Sequence, residues 1–210
     1  MSHYILWYQA TETKVVTTDN LLTGLAVEGC LDDLASLRIN IFREYPYLYD
    51  GLREDELKYL RLYMVTPDAF VISVNDSGNM VGAATGMPLR YEHDGLITPF
   101  KGTSYSVDEL FYVGELLFYP EYRDCGLGIR LLDKIVAHVH SLGNYRYLTC
   151  ATVVRPDYHV LCPESYIKIN RFLARTGFIL LPGVTTSFAW KETDGTNCEH
   201  PMQFWIKELF

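Results

Sequence analysis

Apolar positions along the chain alternate between a helical period and a strand period, and the switches divide it into elements. Residues 23–29 (TGLAVEG) read as a first strand. From Leu31 to about Glu44, Leu34, Leu37, Ile41 and Phe42 recur at helical spacing, with Asp32 and Asp33 at the positive end of that helix. Leu57, Leu60 and Met64 form the stripe of a second helix, from Glu54 to about Met64. AFVISV (69–74) and MVGAATGMPL (80–89) flank the turn NDSGN, which predicts a β-hairpin. Residues 92–107 are polar and glycine-containing, as in a loop, and LFYVGELLFY (110–119) is a strand by its aromatic and β-branched content.

From Gly126 the period becomes 3.6. Leu127, Leu131, Ile135 and Val139 line one face, and Gly143 closes the helix. YRYLTCATVV (145–154) returns to strand. Pro163 suits the first position of a further helix with Tyr166, Ile169, Phe172 and Leu173 on its apolar face, and Gly177 suits a left-handed cap. FILL (178–181), TTSFAW (185–190) and MQFWIKEL (202–209) finish the chain as β. Strands on both sides of helices, with hairpins among them, predict an α+β (mixed α/β) fold in which helices flank a mixed sheet. With no repeat or low-complexity linker, residues 1–210 read as one domain, its core about 23–209.

Composition narrows the function classes. A formal net charge of −8 argues against nucleic-acid binding, which needs a basic surface, and mildly favours a cationic partner. No apolar run approaches the roughly 20 residues of a membrane span, so no membrane partner is expected. The start, MSHYILWYQATETK, lacks the basic and small-residue signals of a secretory leader. Cys30, Cys125, Cys150, Cys162 and Cys198 form no CxxC pair, and His138 and His140 point to different faces of a helix. Neither a disulfide framework nor a metal site is expected, and a cytoplasmic setting is.

The chemistry concentrates in GELLFYPEYRDCGLGIRLLDKI (114–135): a strand, a turn opened by Pro120, a glycine-spaced loop and a long helix. Gly126 and Gly128 let a ligand approach the backbone, and the free N–H groups opening the helix form an anion site. Arg123 adds a permanent positive charge suited to phosphate. A pyrophosphate fits this arrangement; a tight strand-to-helix turn would need the same glycines. A dinucleotide fingerprint would want glycine at position 131, which is Leu131, and the Gly-Lys-Ser/Thr of a P-loop is absent.

The same segment resembles the acyl-CoA signature of the Gcn5-related N-acetyltransferase (GNAT) superfamily, Q/R-x-x-G-x-G/A, which Arg123–Asp124–Cys125–Gly126–Leu127–Gly128 satisfies. The lead-in Phe118–Tyr119–Pro120–Glu121–Tyr122–Arg123 and the junction ARTGF (174–178) are similar to that family too. The FREYPYLYDG run (42–51) resembles uncharacterised bacterial members.

The resemblance implies a splayed sheet and acetyl-CoA as acyl-donor cosubstrate. Backbone amides of Asp124, Cys125, Gly126, Leu127, Gly128 and Ile129, with Arg123, would hold the pyrophosphate. Leu117, Phe118 and Tyr119 would pair with the pantetheine arm as a further strand. The amide near Phe118 would face the developing oxyanion.

The implied reaction is direct attack by a primary amine of a small acceptor, which needs a general base. Glu115 is the candidate. A regular strand would place it on a face with Phe111, Val113, Leu117 and Tyr119, where apolar neighbours would make it hold a proton more readily. A solvent-facing or arginine-paired glutamate is the competing reading. Leu173 stands where many members have a tyrosine acid, and Tyr166 is a substitute of weaker claim. Tyr45, Tyr47 and Tyr49 are expected at the acceptor pocket or in aromatic packing. A non-catalytic acyl-CoA sensor is the alternative function, and the strand of Phe204 and Trp205 could pair two copies in a homodimer or equally be core.

Overall fold

The computed structural model describes residues 17–156 and 158–209; the segment read for a secretory leader lies outside them. Seven strands form one sheet: β1 (Thr18–Thr23), β2 (Phe70–Asp76), β3 (Asn79–Pro88), β4 (Leu110–Phe118), β5 (Tyr147–Val153), β6 (Ile179–Lys191) and β7 (Asn197–Glu208). Their order is β1-β2-β3-β4-β5-β7-β6. Every pair is antiparallel except β4 with β5. Helices α1 (Leu31–Phe42), α2 (Arg53–Leu60), α3 (Leu62–Val65), α4 (Asp94–Ile97), α5 (Leu127–Leu142) and α6 (Ile169–Arg175) connect and cover it. The α+β architecture with flanking helices is the one expected from the pattern.

Both faces of the sheet centre are buried, which is why β2 and β3 read as near-continuous apolar runs. Phe70, Ile72, Phe111 and Phe118 pack with Leu131, Ile135 and Val139 of α5. On the opposite face Val71, Ala83 and Leu117 meet Leu34 and Leu37 of α1, with Leu60 and Tyr63. The helix stripes expected for α1 and α5 therefore face the two cores.

Several elements differ from expectation: the second helix breaks at Arg61 into α2 and α3, and the stretch 92–107 contains α4. The first strand is 18–23, and residues 24–30 form a 3-10 helix. Gly24 at φ +55° ends the strand, and Val27 and Cys30, three apart, are the buried pair of that tighter helix. The last helix starts at Ile169 and not at Pro163. Tyr166 packs edge-on against Tyr45, with ring centroids 4.7 Å apart, so its apolar character serves a tertiary contact and not a helix face.

Candidate active site

The sheet opens where β4 and β5 part. They pair only at Leu110–Tyr147, Phe111–Leu148 and Tyr112–Thr149, and each then runs on without the other. Between them lies a cavity of about 600 Å³. Its walls are Val113–Phe118 of β4, Cys150–Val153 of β5 with Val154–Pro156 beyond, Tyr45–Tyr47, and Tyr166–Asn170 leading into α6. Such a volume suits a small-molecule or cofactor arm.

The phase of β4 decides what it offers to this gap. Tyr119 N donates to Val81 O at 3.1 Å, so residues 115, 117 and 119 bond with β3. By the alternation of antiparallel pairing, the backbone groups of Leu116 and Phe118 turn toward the gap. Phe118 O accepts from Arg123 Nε at 2.9 Å on that side. An extended ligand arm could bond with this edge as an added strand would.

The loop below the gap is shaped by left-handed residues. Asp124 lies at φ +57° and Gly126 at φ +86°, and Gly126 is the N-cap of α5. The first i→i−4 bond of that turn runs from Arg130 N to Gly126 O, leaving the preceding amides without helical acceptors. A side chain at Gly126 would meet open space, whereas one at Gly128 would touch Phe172 at 3.4 Å. The arrangement can hold an anion at the helix N-terminus.

The residues expected for the cofactor therefore divide. Leu117, Phe118 and Arg123 line the cavity, while Tyr119 and Asp124–Ile129 are not among its walls. Leu127 is a core residue and Ile129 is exposed. Cys125 is exposed, with Sγ 3.1 Å from Tyr122 O. Arg123 turns back to hold Phe118 O and, through Nη1, Glu44 Oε2 at 2.9 Å.

Glu115 has the arginine-paired surroundings of the competing reading and not an apolar shell. The β3–β4 register shifts between Thr85–Glu115 and Gly86–Val113, leaving Gly114 as an extra residue. One inserted residue reverses the facing of all that follows. Phe111 and Val113 join the α5 core, while Glu115 turns toward α1 with Leu117. Its carboxylate is buried, ion-paired with Arg38 and hydrogen-bonded by Thr85 Oγ1, though Glu115 still borders the cavity. Thr85 Oγ1, its one hydrogen given to Glu115, accepts from Tyr63 Oη at 3.1 Å, and the Tyr63 and Tyr59 hydroxyls lie 2.8 Å apart. The expected apolar shell is replaced by a polar network.

The tyrosines also separate. Tyr45 and Tyr47 line the cavity, as does Tyr166. Burial pushes the Tyr47 and Tyr166 hydroxyls up to about 12. Tyr49 is not a wall residue and pairs its backbone with Glu192. Leu173 is core, 6% exposed. Sequence reasoning missed Arg155, whose Nε and Nη2 donate to Pro46 O and Tyr47 O at 2.6 and 2.8 Å and hold that wall. No spacing marks it, because its partners are backbone carbonyls more than a hundred positions away.

The family model described as Acetyltransferase (GNAT) family matches residues 34–160, more than half of the chain. The chain belongs to this family. It is an acetyltransferase, with acetyl-CoA as its cosubstrate. The fold of the acetyltransferase is similar to solved structures at low identity. An N-acetyltransferase from Staphylococcus aureus Mu50 is 13% identical, with TM-score 0.57, covering 92% of this chain and 99% of that one. YncA from Salmonella typhimurium, solved with its cofactor acetyl-CoA, is 12% identical, with TM-score 0.59 and coverage of 93% and 95%. An aminoglycoside 6'-N-acetyltransferase complexed with coenzyme A is 13% identical, with TM-score 0.55 and coverage of 91% and 97%. No curated protein matches the chain. Among the described residues no helix is long and apolar enough to cross a membrane.

Proposed function

We propose that the acetyltransferase moves the acetyl group of acetyl-CoA to a primary amine of a small acceptor, by direct attack in a ternary complex. The observation that carries this reading is the opening between β4 and β5, bordered by the Phe118 edge and lying next to the glycine-capped start of α5. In it, the pyrophosphate rests on the amides of residues 124–129 and the pantetheine arm runs along Leu117–Tyr119. The amide of Phe118 faces the thioester oxygen. The acceptor enters beside Tyr45 and Tyr47, and the net charge of −8 favours a cationic one. The five cysteines are all free, which fits the cytoplasm.

Glu115 is the proposed general base, relaying the amine proton through water from its place at the cavity border. Its ion pair with Arg38 supports a second reading, a non-catalytic acyl-CoA sensor in which Glu115 is structural. Thermal shift with acetyl-CoA and with CoA tests the cofactor site. At a hundred times the dissociation constant a ligand adds about 2.7 kcal/mol, and Gly126→Glu is expected to abolish that gain. Thiol release across a panel of amines then separates the two readings. Binding without release for any amine would support the sensor; no shift in folded wild-type protein would remove both.

A further inference from the structure

The β6–β7 hairpin gathers three side chains of metal-binding chemistry. Trp190 pairs with Cys198 and Phe188 with His200, and Glu192 N donates to Thr196 O at 2.8 Å at the turn. Alternate residues of a strand share a face, so Glu192, Cys198 and His200 project to the same side. Cys198 Sγ lies 3.5 Å from His200 Nε2, and Glu192 Oε1 lies 3.6 Å from that same nitrogen. All three donor atoms fall within 4.8 Å of one another. Tetrahedral zinc, with bonds of about 2.0 Å to N and O and about 2.3 Å to S, separates its ligands by roughly 3.3–3.6 Å.

Two further features point into this cluster. Glu192 Oε1 is buried and has no hydrogen-bond donor: Arg155 Nη1 stands 2.6 Å away as an ion pair but without hydrogen-bond geometry. The His200 imidazole is stacked on Trp190, with ring centroids 3.7 Å apart, and is 2% exposed.

We propose that Glu192, Cys198 and His200 form a binding site for a divalent metal of the zinc class. The carboxylate, thiolate and imidazole set suits that metal, and the exposed side of Cys198 leaves the fourth position to solvent. On binding, the Cys198 thiol releases its proton to water and a metal–sulfur bond replaces a metal–water bond. Arg155 then orients Glu192 from outside the ligand set. Because Arg155 also holds Pro46 O and Tyr47 O, the site stands behind the cavity wall and not within it.

The test uses untagged, chelator-treated full-length protein titrated with Co²⁺ and, in competition, Zn²⁺, and needs no activity. One equivalent of Co²⁺ is expected to give a thiolate-to-cobalt charge-transfer band that Zn²⁺ displaces. Cys198→Ser, at an exposed position, is expected to keep the metal-free melting temperature and lose the band, and His200→Asn to weaken Zn²⁺ binding by about tenfold or more. Absence of the band in folded wild-type protein overturns the site. So does an unchanged band in Cys198→Ser, which would assign the thiolate to another cysteine.

Discussion

Arg38 and Glu115 form a buried ion pair that ties α1 to the bulged strand β4. Arg38 Nε also meets Glu56 Oε2 at 2.5 Å, and its guanidinium lies over the Tyr59 ring, 4.7 Å from the centroid. One cation thus serves two buried carboxylates. Arg38→Met would strand both, and breaking a buried pair in this way costs about 3–5 kcal/mol. Urea denaturation measures that loss.

Glu115→Gln separates a structural role from a chemical one. Glu56 still satisfies Arg38 in this variant, so the fold is expected to survive with a smaller loss of stability. If Glu115 takes the amine proton, kcat falls by about 100-fold or more while acetyl-CoA binding is kept. An unchanged kcat would leave Glu115 as the partner of Arg38 alone.

Gly126 combines strain with ligand access. At φ +86°, a Gly126→Ala side chain costs about 1–2 kcal/mol, although nothing lies within 4 Å of its Cβ. The steric room predicts that the alanine variant folds and still responds to acetyl-CoA, whereas Gly126→Glu folds and does not. Melting curves with and without the cofactor distinguish the two.

Much of the fold was legible because its signals are local. The α5 stripe, the Gly143 and Gly177 caps and the β2–β3 turn depend on neighbouring residues. The facing of Glu115 was not, since alternation along β4 holds only without an extra residue, and Gly114 is that residue. The part of Arg155 in the cavity wall, and the packing of Tyr166 against Tyr45, were hidden for a related reason. Their contacts, to Pro46, Tyr47 and Tyr45, join distant segments and leave no periodic trace.

Tyr166 tests whether the leaving thiolate needs a proton in the transition state. Burial holds its hydroxyl up at about 12, while an ordinary thiol titrates near about 8.5. Transfer from Tyr166 to the thiolate would run uphill by more than three pH units. Tyr166→Phe, which keeps the edge contact with Tyr45, is therefore expected to leave kcat within about threefold, as a thiolate leaving unaided requires. A larger fall in kcat at unchanged KM would make Tyr166 the acid.

Glu92 should set the pH dependence of stability. Burial raises its carboxyl from 4.5 to about 7, and its Oε1 is buried without a hydrogen-bond partner. The folded state then binds more protons than the unfolded state between those two values. Stability must fall as pH rises through that window and level off above it. Below about pH 4.5 both states are protonated and Glu92 imposes no penalty. Glu92→Gln removes the ionisation while keeping the shape. Its gain over wild type is expected to be near zero at pH 4.5 and to grow to about 1–3 kcal/mol by pH 8. Denaturation at several pH values measures the difference. A gain that did not change with pH would mean that Glu92 ionises alike in both states, and the penalty would have to come from packing.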